Sequence, residues 1–114
     1  MKHLLVIYTS HEAWAKLSPD DIERLGNTHG ALIAELQASG EFVDTSELAV
    51  EGSRVVRASG VTDGPFTEGK ELVGGYYIVD CANTERSVEI AGKLMEIEFA
   101  PVDVRPLIIY SPPQ

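Results

Sequence analysis

His29 and Asp44 are the side chains whose types and positions best suit acid–base chemistry. His29 follows Leu25 by four residues and precedes Leu32 by three, so it shares the apolar stripe of a predicted helix and should face a sheet. An imidazole titrates near neutral pH and acts as a general base when a carboxylate orients it. We expect Asp44, on a strand returning along this helix, to reach His29. The alternative is a core histidine satisfied by Asp44 or a backbone carbonyl, without a catalytic task.

The turn from Asp63 to Phe66, with the sequence DGPF, is a second candidate part of a site. Its Asp can accept backbone hydrogen bonds, its Gly permits conformations closed to other residues, and its Pro fixes the next step. Phe66 then becomes an apolar anchor, and Glu68 and Lys70 follow on the same side of an extended chain. The segment is either a tight turn that closes the end of the core or the rim of a pocket containing Asp63, Phe66, Glu68 and Lys70.

Residues 64–70 also match the first seven positions of the phosphate-binding pattern GxxxxGK[ST]. The eighth position needs a hydroxyl for Mg²⁺, and this chain has Glu71 there. Pro65 lacks an N–H that could face a phosphate, and a strand rather than a helix is predicted from Leu72. We therefore exclude nucleotide binding by this loop.

The remaining reactive side chains do not predict a metal or another cofactor. His3 and His11 are separated by a strand and lack the spacing of paired metal ligands, so together with Glu12 they would form a site only by accident of folding. No GxSxG, GxGxxG or CxxC motif occurs in the chain. Cys81, the only cysteine, is predicted to be a small buried hydrophobe that closes a strand rather than a reactive thiol.

Length and charge exclude several classes of protein. A chain of 114 residues with 44% apolar residues fits one domain with a core, which we place at residues 1–110, followed by a tail at 111–114. The 18 acidic and 9 basic residues give a net charge of −9, which argues against nucleic-acid and membrane-surface partners. The apolar run from Leu4 to Tyr8 is too short for a signal peptide or a membrane span. We expect a cytoplasmic protein.

The predicted elements follow the order β-α-β-β-β-α-β. Ser18 and Pro19 begin the first long helix, and Gly40 ends it. Gly26 and Gly30 inside this helix indicate the close approach of another backbone. The other predicted elements are strands at residues 2–9, 42–49, 54–58, 72–80 and 101–110, of which the second and third form a hairpin, a loop at 60–70, and a helix capped by Thr84.

This order predicts an α+β, ferredoxin-like fold, an antiparallel sheet with two helices on one face. Two helices cover only one face, yet the first, penultimate and last strands carry apolar residues on both. An exposed face of that kind would be a large apolar patch. We therefore expect a second copy of the chain to pack on it, giving a homodimer.

The chain resembles the YCII-related family, in its DGPF-domain branch. The residues that carry this resemblance are Thr62–Phe66, Glu68, Lys70-Glu71, Gly74-Gly75 and Val102–Pro106, and it extends over nearly the whole chain. The resemblance implies a dimeric α/β barrel with a His–Asp pair in a pocket near the dimer interface, proposed as catalytic by analogy with muconolactone isomerase-like proteins. Here that pair would be His29 and Asp44. Some members of the family are linked in genomes to extracytoplasmic sigma factors, and no settled reaction is attached to it.

Two functional hypotheses follow. The first is a small-molecule enzyme in which His29 is the general base or acid, Asp44 orients it, and the reaction is an isomerisation or elimination on a small organic substrate. The second is a non-catalytic dimeric module that binds a metabolite or a regulator such as a sigma factor. The distance between His29 and Asp44 separates them, because proton transfer requires hydrogen-bond contact.

Overall fold

The computed structural model describes residues 1–66 and 71–108 of the chain. Its elements in chain order are β1 (Lys2–Thr9), α1 (His11–Ala15), α2 (Pro19–Ser39), β2 (Phe42–Glu47), β3 (Arg54–Arg57), β4 (Gly60–Asp63), β5 (Leu72–Asp80), α3 (Thr84–Ala91), a 3₁₀ helix (Met95–Glu98) and β6 (Val102–Pro106). Four strands form an antiparallel sheet in the order β2-β5-β1-β6, while β3 and β4 form a separate hairpin. This confirms the predicted α+β, ferredoxin-like arrangement.

The ends of α2 follow the signals in its sequence. The Ser18 hydroxyl accepts a hydrogen bond from the Asp21 amide at 3.1 Å, and the Asp21 carboxylate accepts one from the Ser18 amide at 2.9 Å. This reciprocal capping box satisfies two amides that the helix itself leaves unpaired. Pro19 occupies the first helical position, and Gly40, with a φ of 80°, ends the helix in a left-handed conformation. The sequence thus fixes the position of the helix that carries His29.

The core lies between one face of the sheet and the helices α2 and α3. Strand alternation turns Leu5 of β1 and Tyr77 of β5 toward it, where both are fully buried. Complete burial of a leucine side chain such as that of Leu5 contributes about 1.5–3 kcal/mol. The other core residues are Ile7, Leu32, Leu36, Val79, Cys81, Ile90, Ala91 and Leu94. The opposite face carries Leu4, Val6, Tyr76 and Ile78, which are half-buried.

The predicted hairpin between residues 42–49 and 54–58 is wrong. The strand β2 pairs with β5 in the main sheet, with Thr45 opposite Tyr77, whereas β3 pairs with β4, with Val56 opposite Val61. The strand β4 also lies where a loop was expected. Strand periodicity indicates which segments are extended but does not name their partners, and strands adjacent in sequence often pair elsewhere.

The glycines of α2 and β5 differ in whether a neighbouring backbone leaves room for a side chain. A Cβ atom at Gly26 or Gly30 would meet no heavy atom of the described residues within 4 Å, so the predicted backbone contact at this helix is wrong within the chain. A Cβ atom at Gly75 would lie 2.9 Å from the Ser46 carbonyl oxygen. The close approach of β2 to β5 therefore requires Gly75.

The ends of other elements differ modestly from the sequence prediction. The helix α3 is capped by Asn83, whose side chain accepts a hydrogen bond from the Arg86 amide at 2.9 Å, one residue before the expected cap. The short α1 and the 3₁₀ helix were not expected. Within residues 1–66 and 71–108, no helix combines the length and apolar character needed to cross a membrane. The predicted tail at 111–114 lies outside the described residues.

Candidate acid–base site

His29 is held between a tyrosine and a glutamate. Its Nδ1 atom lies 2.5 Å from the hydroxyl oxygen of Tyr77, and its Nε2 atom lies 2.6 Å from Oε2 of Glu96. The His29 and Tyr77 rings also stack, with centroids 5.6 Å apart and planes inclined by 16°. The His29 and Glu96 side chains are only 24% and 17% exposed. His29 thus faces the sheet, as its place on the helix stripe predicts.

The scaffold holds both ends of this chain of contacts. Tyr77 lies on the core side of the central strand β5 and is buried. Glu96 lies on the 3₁₀ helix, which Arg24 of α2 holds through two contacts. The Arg24 guanidinium donates to Oε2 of Glu98 at 2.7 Å and to the sulfur of Met95 at 3.3 Å. Since Met95 is itself buried, the 3₁₀ helix has a fixed position beside α2.

Tyr77 controls how protons are arranged along the chain of contacts. Burial raises the pKa of Tyr77 to about 12, while the nearby Thr45 hydroxyl has an opposing effect and the negative charge of Glu96 adds a smaller increase. Tyr77 is therefore a phenol at neutral pH. When the imidazole is neutral, the Tyr77 hydroxyl donates to Nδ1 and the Nε2–H group donates to Glu96. When the imidazole is protonated, the Tyr77 oxygen accepts instead, so both protonation states keep both contacts.

Glu96 connects this chain of contacts to a cavity. Its Oε1 atom is buried and has no hydrogen-bond partner among the described residues, a situation that costs roughly 1–3 kcal/mol for a polar group. Glu96 lines a cavity of about 20 Å³, which holds roughly one water molecule. The other lining residues include Tyr8, Thr9, Trp14, Leu25 and Phe99. His29 lies behind Glu96, so the carboxylate rather than the imidazole borders the cavity.

The expected contact between His29 and Asp44 is wrong. Asp44 is exposed and accepts a hydrogen bond from the Tyr76 hydroxyl at 2.8 Å. Tyr76 and Tyr77 are consecutive in β5 and point to opposite faces of the sheet. His29, bonded to Tyr77, and Asp44, bonded to Tyr76, therefore lie on opposite sides. The hydrogen bond from Tyr76 to Asp44 also raises the pKa of Tyr76.

An irregularity in β2 explains this outcome. Phe42 packs on the core, and in a regular strand Asp44, two residues later, would share that face. The register with β5 shifts between Phe42 and Asp44, so that Thr45 instead lies opposite Tyr77. One additional residue in a strand reverses the face of every side chain that follows. The shift thus places Thr45 rather than Asp44 beside the phenol.

The two described residues of the predicted pocket rim, Asp63 and Phe66, are not part of this site. Asp63, at the end of β4, is exposed, with Oδ1 3.7 Å from the Arg54 guanidinium. Phe66 is 61% exposed, and the guanidinium of Arg57 lies 5.6 Å from its ring centroid. Neither Asp63 nor Phe66 borders the cavity beside Glu96, and Phe66 does not close the core. Glu68 and Lys70, the other two rim residues, lie outside the described residues.

The other histidine and cysteine candidates have structural partners. His3 is buried, and its Nε2 atom lies 3.0 Å from the Thr84 hydroxyl. The Cys81 sulfur lies 3.2 Å from the Ser87 hydroxyl and 3.7 Å from His3 Nδ1. Cys81 is thus buried at the end of β5, as predicted. In residues 1–66 and 71–108, no three His, Cys, Asp or Glu side chains are grouped to hold a metal ion.

Two members of the site, Tyr77 and Glu96, were missed by sequence reasoning. The alternation of β5 could have placed Tyr77 on the core face, because Val79 lies two residues later on the same face of the strand. Glu96 lies in the run Met95-Glu96-Ile97-Glu98, after a helix with a clear stripe. A single 3₁₀ turn has no repeated pattern that would show which glutamate points inward.

Comparisons with known proteins agree with the fold. A family model described as the YCII-related domain matches residues 1–108. A curated relative, "Uncharacterized protein R00369" of Rhizobium meliloti (strain 1021), is 26% identical to this chain over 119 residues. That alignment covers 98% of this chain and 96% of the relative. The similarity therefore involves the whole domain rather than the DGPF turn alone.

Proposed function

The chain belongs to the YCII-related family, and we propose that it is a small-molecule enzyme in which the His29–Glu96 pair moves a proton. One observation carries this. The hydrogen bonds from Tyr77 through His29 end at a buried Glu96 oxygen that has no partner among the described residues, in a side chain that borders a cavity. A buried polar group without a partner calls for an explanation, and a catalytic role is one of those that such groups have in native proteins.

The geometry supports a division of roles between the two side chains. Oε2 of Glu96 accepts the hydrogen bond from His29, whereas Oε1 is buried without a partner among the described residues, in a side chain that lines the cavity. In this proposal, Oε1 takes a proton from a substrate C–H or O–H bond, whose electron pair stays on the substrate. Return of that proton to another atom gives an isomerisation, and departure of a leaving group with an electron pair gives an elimination. Glu96 is then the catalytic residue, with His29 and Tyr77 as positioning residues.

A homodimer is part of the same proposal. The half-buried residues Leu4, Val6, Tyr76 and Ile78 form an apolar sheet face opposite α2 and α3. A second chain packed there would remove this face from water at a gain of about 25 cal/mol per Å². Asp44 lies on this face too, so its role in the proposal is at the interface rather than at His29.

A non-catalytic binding module is the second candidate. The cavity of about 20 Å³ holds one small chemical group of a ligand, and binding of such a group does not require a reaction. A link to an extracytoplasmic sigma factor belongs to this candidate. It rests on analogy with the YCII-related family alone, some of whose members are linked in genomes to such factors.

Deuterium incorporation tests the proton-transfer proposal. Small lactones and enolisable ketones are incubated with the protein in D₂O, and the loss of their carbon-bound proton signals is followed by NMR. We expect incorporation into at least one class, with a rate that falls at least ~100-fold in Glu96→Gln. Glu23→Gln, an exposed position on α2 with the same change in charge, is the control. Equal rates of deuterium incorporation in wild type and Glu96→Gln, or no incorporation into any class of substrate, contradict the proposed enzymatic function.

A further inference from the structure

The cavity beside Glu96 has a lining that selects for hydrogen-bond donors. Among the described residues that line it, Glu96 alone carries a charge. A carboxylate only accepts hydrogen bonds, and Oε1 has no donor among these residues. The lining otherwise consists of apolar side chains with the hydroxyl-bearing Tyr8 and Thr9. A ligand that brings an O–H or N–H group satisfies the buried oxygen, whereas an anion would face the like charge of Glu96.

Other charges in the neighbourhood do not reverse this preference. Arg24 reaches the 3₁₀ helix, but its guanidinium is bonded to Glu98 and Met95. The partner of Glu96 in the described part of the chain is His29, which contacts the other carboxylate oxygen. The net charge of −9 also repels anions from the protein as a whole. Both the local and the overall charge thus favour a neutral or cationic ligand.

Size and exposure indicate how such a ligand would lie. A volume of about 20 Å³ accepts one hydroxyl or amino group but not a ring. Trp14 of α1 and Phe99, next to the 3₁₀ helix, both line the cavity, and they are 48% and 39% exposed. Partly exposed aromatic rings beside a polar recess provide flat apolar surfaces for the body of a ligand.

We propose that this cavity binds the hydroxyl or amino group of a small neutral or cationic molecule whose ring-sized apolar body lies against Trp14 and Phe99. The donor group hydrogen-bonds to Oε1 of Glu96 and takes the place of the missing partner. This assignment rests on the proposed function, because it names the class of molecule that the same carboxylate would act on.

Four benzyl compounds of equal ring size test the proposal on the wild-type protein. Benzylamine is a cationic donor, benzyl alcohol a neutral donor, toluene lacks a donor, and benzoate is an anion. Trp14 is the only tryptophan, so its fluorescence reports binding directly. We expect saturable changes with benzylamine and benzyl alcohol, with affinities at least tenfold higher than those of toluene and benzoate. Benzoate binding as tightly as benzylamine, or no saturable binding by any compound, overturns the proposal.

Variants then assign the binding to Glu96. Glu96→Gln should weaken the binding of benzylamine at least tenfold, because the carboxylate is lost. The difference in affinity between benzylamine and benzoate should therefore become smaller. Glu12→Gln, on exposed α1 outside the cavity lining, makes the same charge change and should leave the four affinities unchanged. Circular dichroism checks that both variants fold, and the wild-type ranking needs no variant. An unchanged ranking in Glu96→Gln overturns the assignment.

The outcomes also separate this inference from the proposed enzyme. Binding of the donor compounds without deuterium incorporation in any substrate class leaves the binding site intact and removes the catalytic role. Deuterium incorporation into an anionic substrate, with no binding of the donor compounds, keeps the catalytic role of Glu96 and removes the proposed binding site.

Discussion

Nε2 of His29 lies 2.6 Å from Oε2 of Glu96, and this contact joins α2 to the 3₁₀ helix across 67 residues of sequence. The carboxylate that orients the histidine therefore comes from the C-terminal half of the chain rather than from β2. The other ring nitrogen meets Tyr77, so the imidazole has a defined orientation between two partners.

The two adjacent tyrosines of β5 should differ in their contribution to stability. Tyr77→Phe removes the partner of His29 Nδ1 inside the core, and we expect a loss of about 1–2 kcal/mol in the free energy of unfolding. Tyr76→Phe removes an exposed hydrogen bond to Asp44 and should cost less than about 0.5 kcal/mol. Urea denaturation of both variants gives the comparison. Equal losses in the free energy of unfolding would contradict the prediction that the His29–Tyr77 contact stabilises the fold more than the Tyr76–Asp44 contact does.

Stability in acid should depend on Glu41. Arg86 donates to both oxygens of Glu41, at 2.9 and 2.8 Å, and this hydrogen bonding lowers the pKa of Glu41 to about 2. Because the folded-state pKa lies below the ordinary value of 4.5, the stabilisation is complete above pH 4.5 and is lost as the pH falls toward 2. We expect Glu41→Gln to cost on the order of 2 kcal/mol at pH 6.

Urea denaturation of wild type and Glu41→Gln at several pH values measures this effect. The difference between the two proteins should narrow steadily between pH 4.5 and 2, where the wild-type carboxylate becomes protonated. Glu85→Gln, an exposed position on α3, serves as the control for a change in charge. A difference that stays constant from pH 6 to pH 2 is incompatible with the ion pair.

Two glycine substitutions should have opposite effects. Gly30→Ala adds a methyl group into open space on α2 and should stabilise the fold by about 0.5–1 kcal/mol, the difference in helix propensity. Gly75→Ala pushes a methyl group against the Ser46 carbonyl oxygen and should destabilise it by about 1–3 kcal/mol. Thermal melting distinguishes the signs. A lower melting temperature for Gly30→Ala would mean that this helix face meets a partner.

The apolar sheet face should hold two chains together. Light scattering at micromolar concentration is expected to give twice the chain mass of 12.4 kDa. Ile78→Lys places a charge in the centre of the proposed interface and should yield single chains, whereas Val88→Lys, on an exposed part of α3, should not. A wild-type protein that scatters as one chain would contradict the face-to-face dimer.

Local signals in the sequence predict the elements well but not how they meet. Ser18, Pro19 and Gly40 locate α2, and alternation locates β1 and β5, because caps and periodicity depend on neighbouring residues. The register shift after Phe42 depends instead on how β2 fits against β5. The local sequence pattern does not show this register shift, which places Asp44 on the face of the sheet opposite to His29.

The candidate site was therefore only half predictable. His29 could be identified because a helix stripe extends over several turns. Its partners required knowledge of the tertiary contacts. Glu96 comes from a single turn whose inward face is set by the contacts of Arg24 and Met95 rather than by periodicity. The turn at Asp63 to Phe66 identified the family resemblance but lies apart from the cavity.

The central claim is that Glu96, and not Asp44, is the carboxylate partner of His29. NMR of ¹⁵N-histidine-labelled protein tests it directly, because a ring N–H bonded to a carboxylate gives a protected, downfield proton signal, and only three histidines need to be assigned. We predict such a signal for Nε2–H of His29 in wild type and in Asp44→Asn, and its loss or marked upfield shift in Glu96→Gln. Loss of the signal in Asp44→Asn, with Glu96→Gln unchanged, would contradict the account.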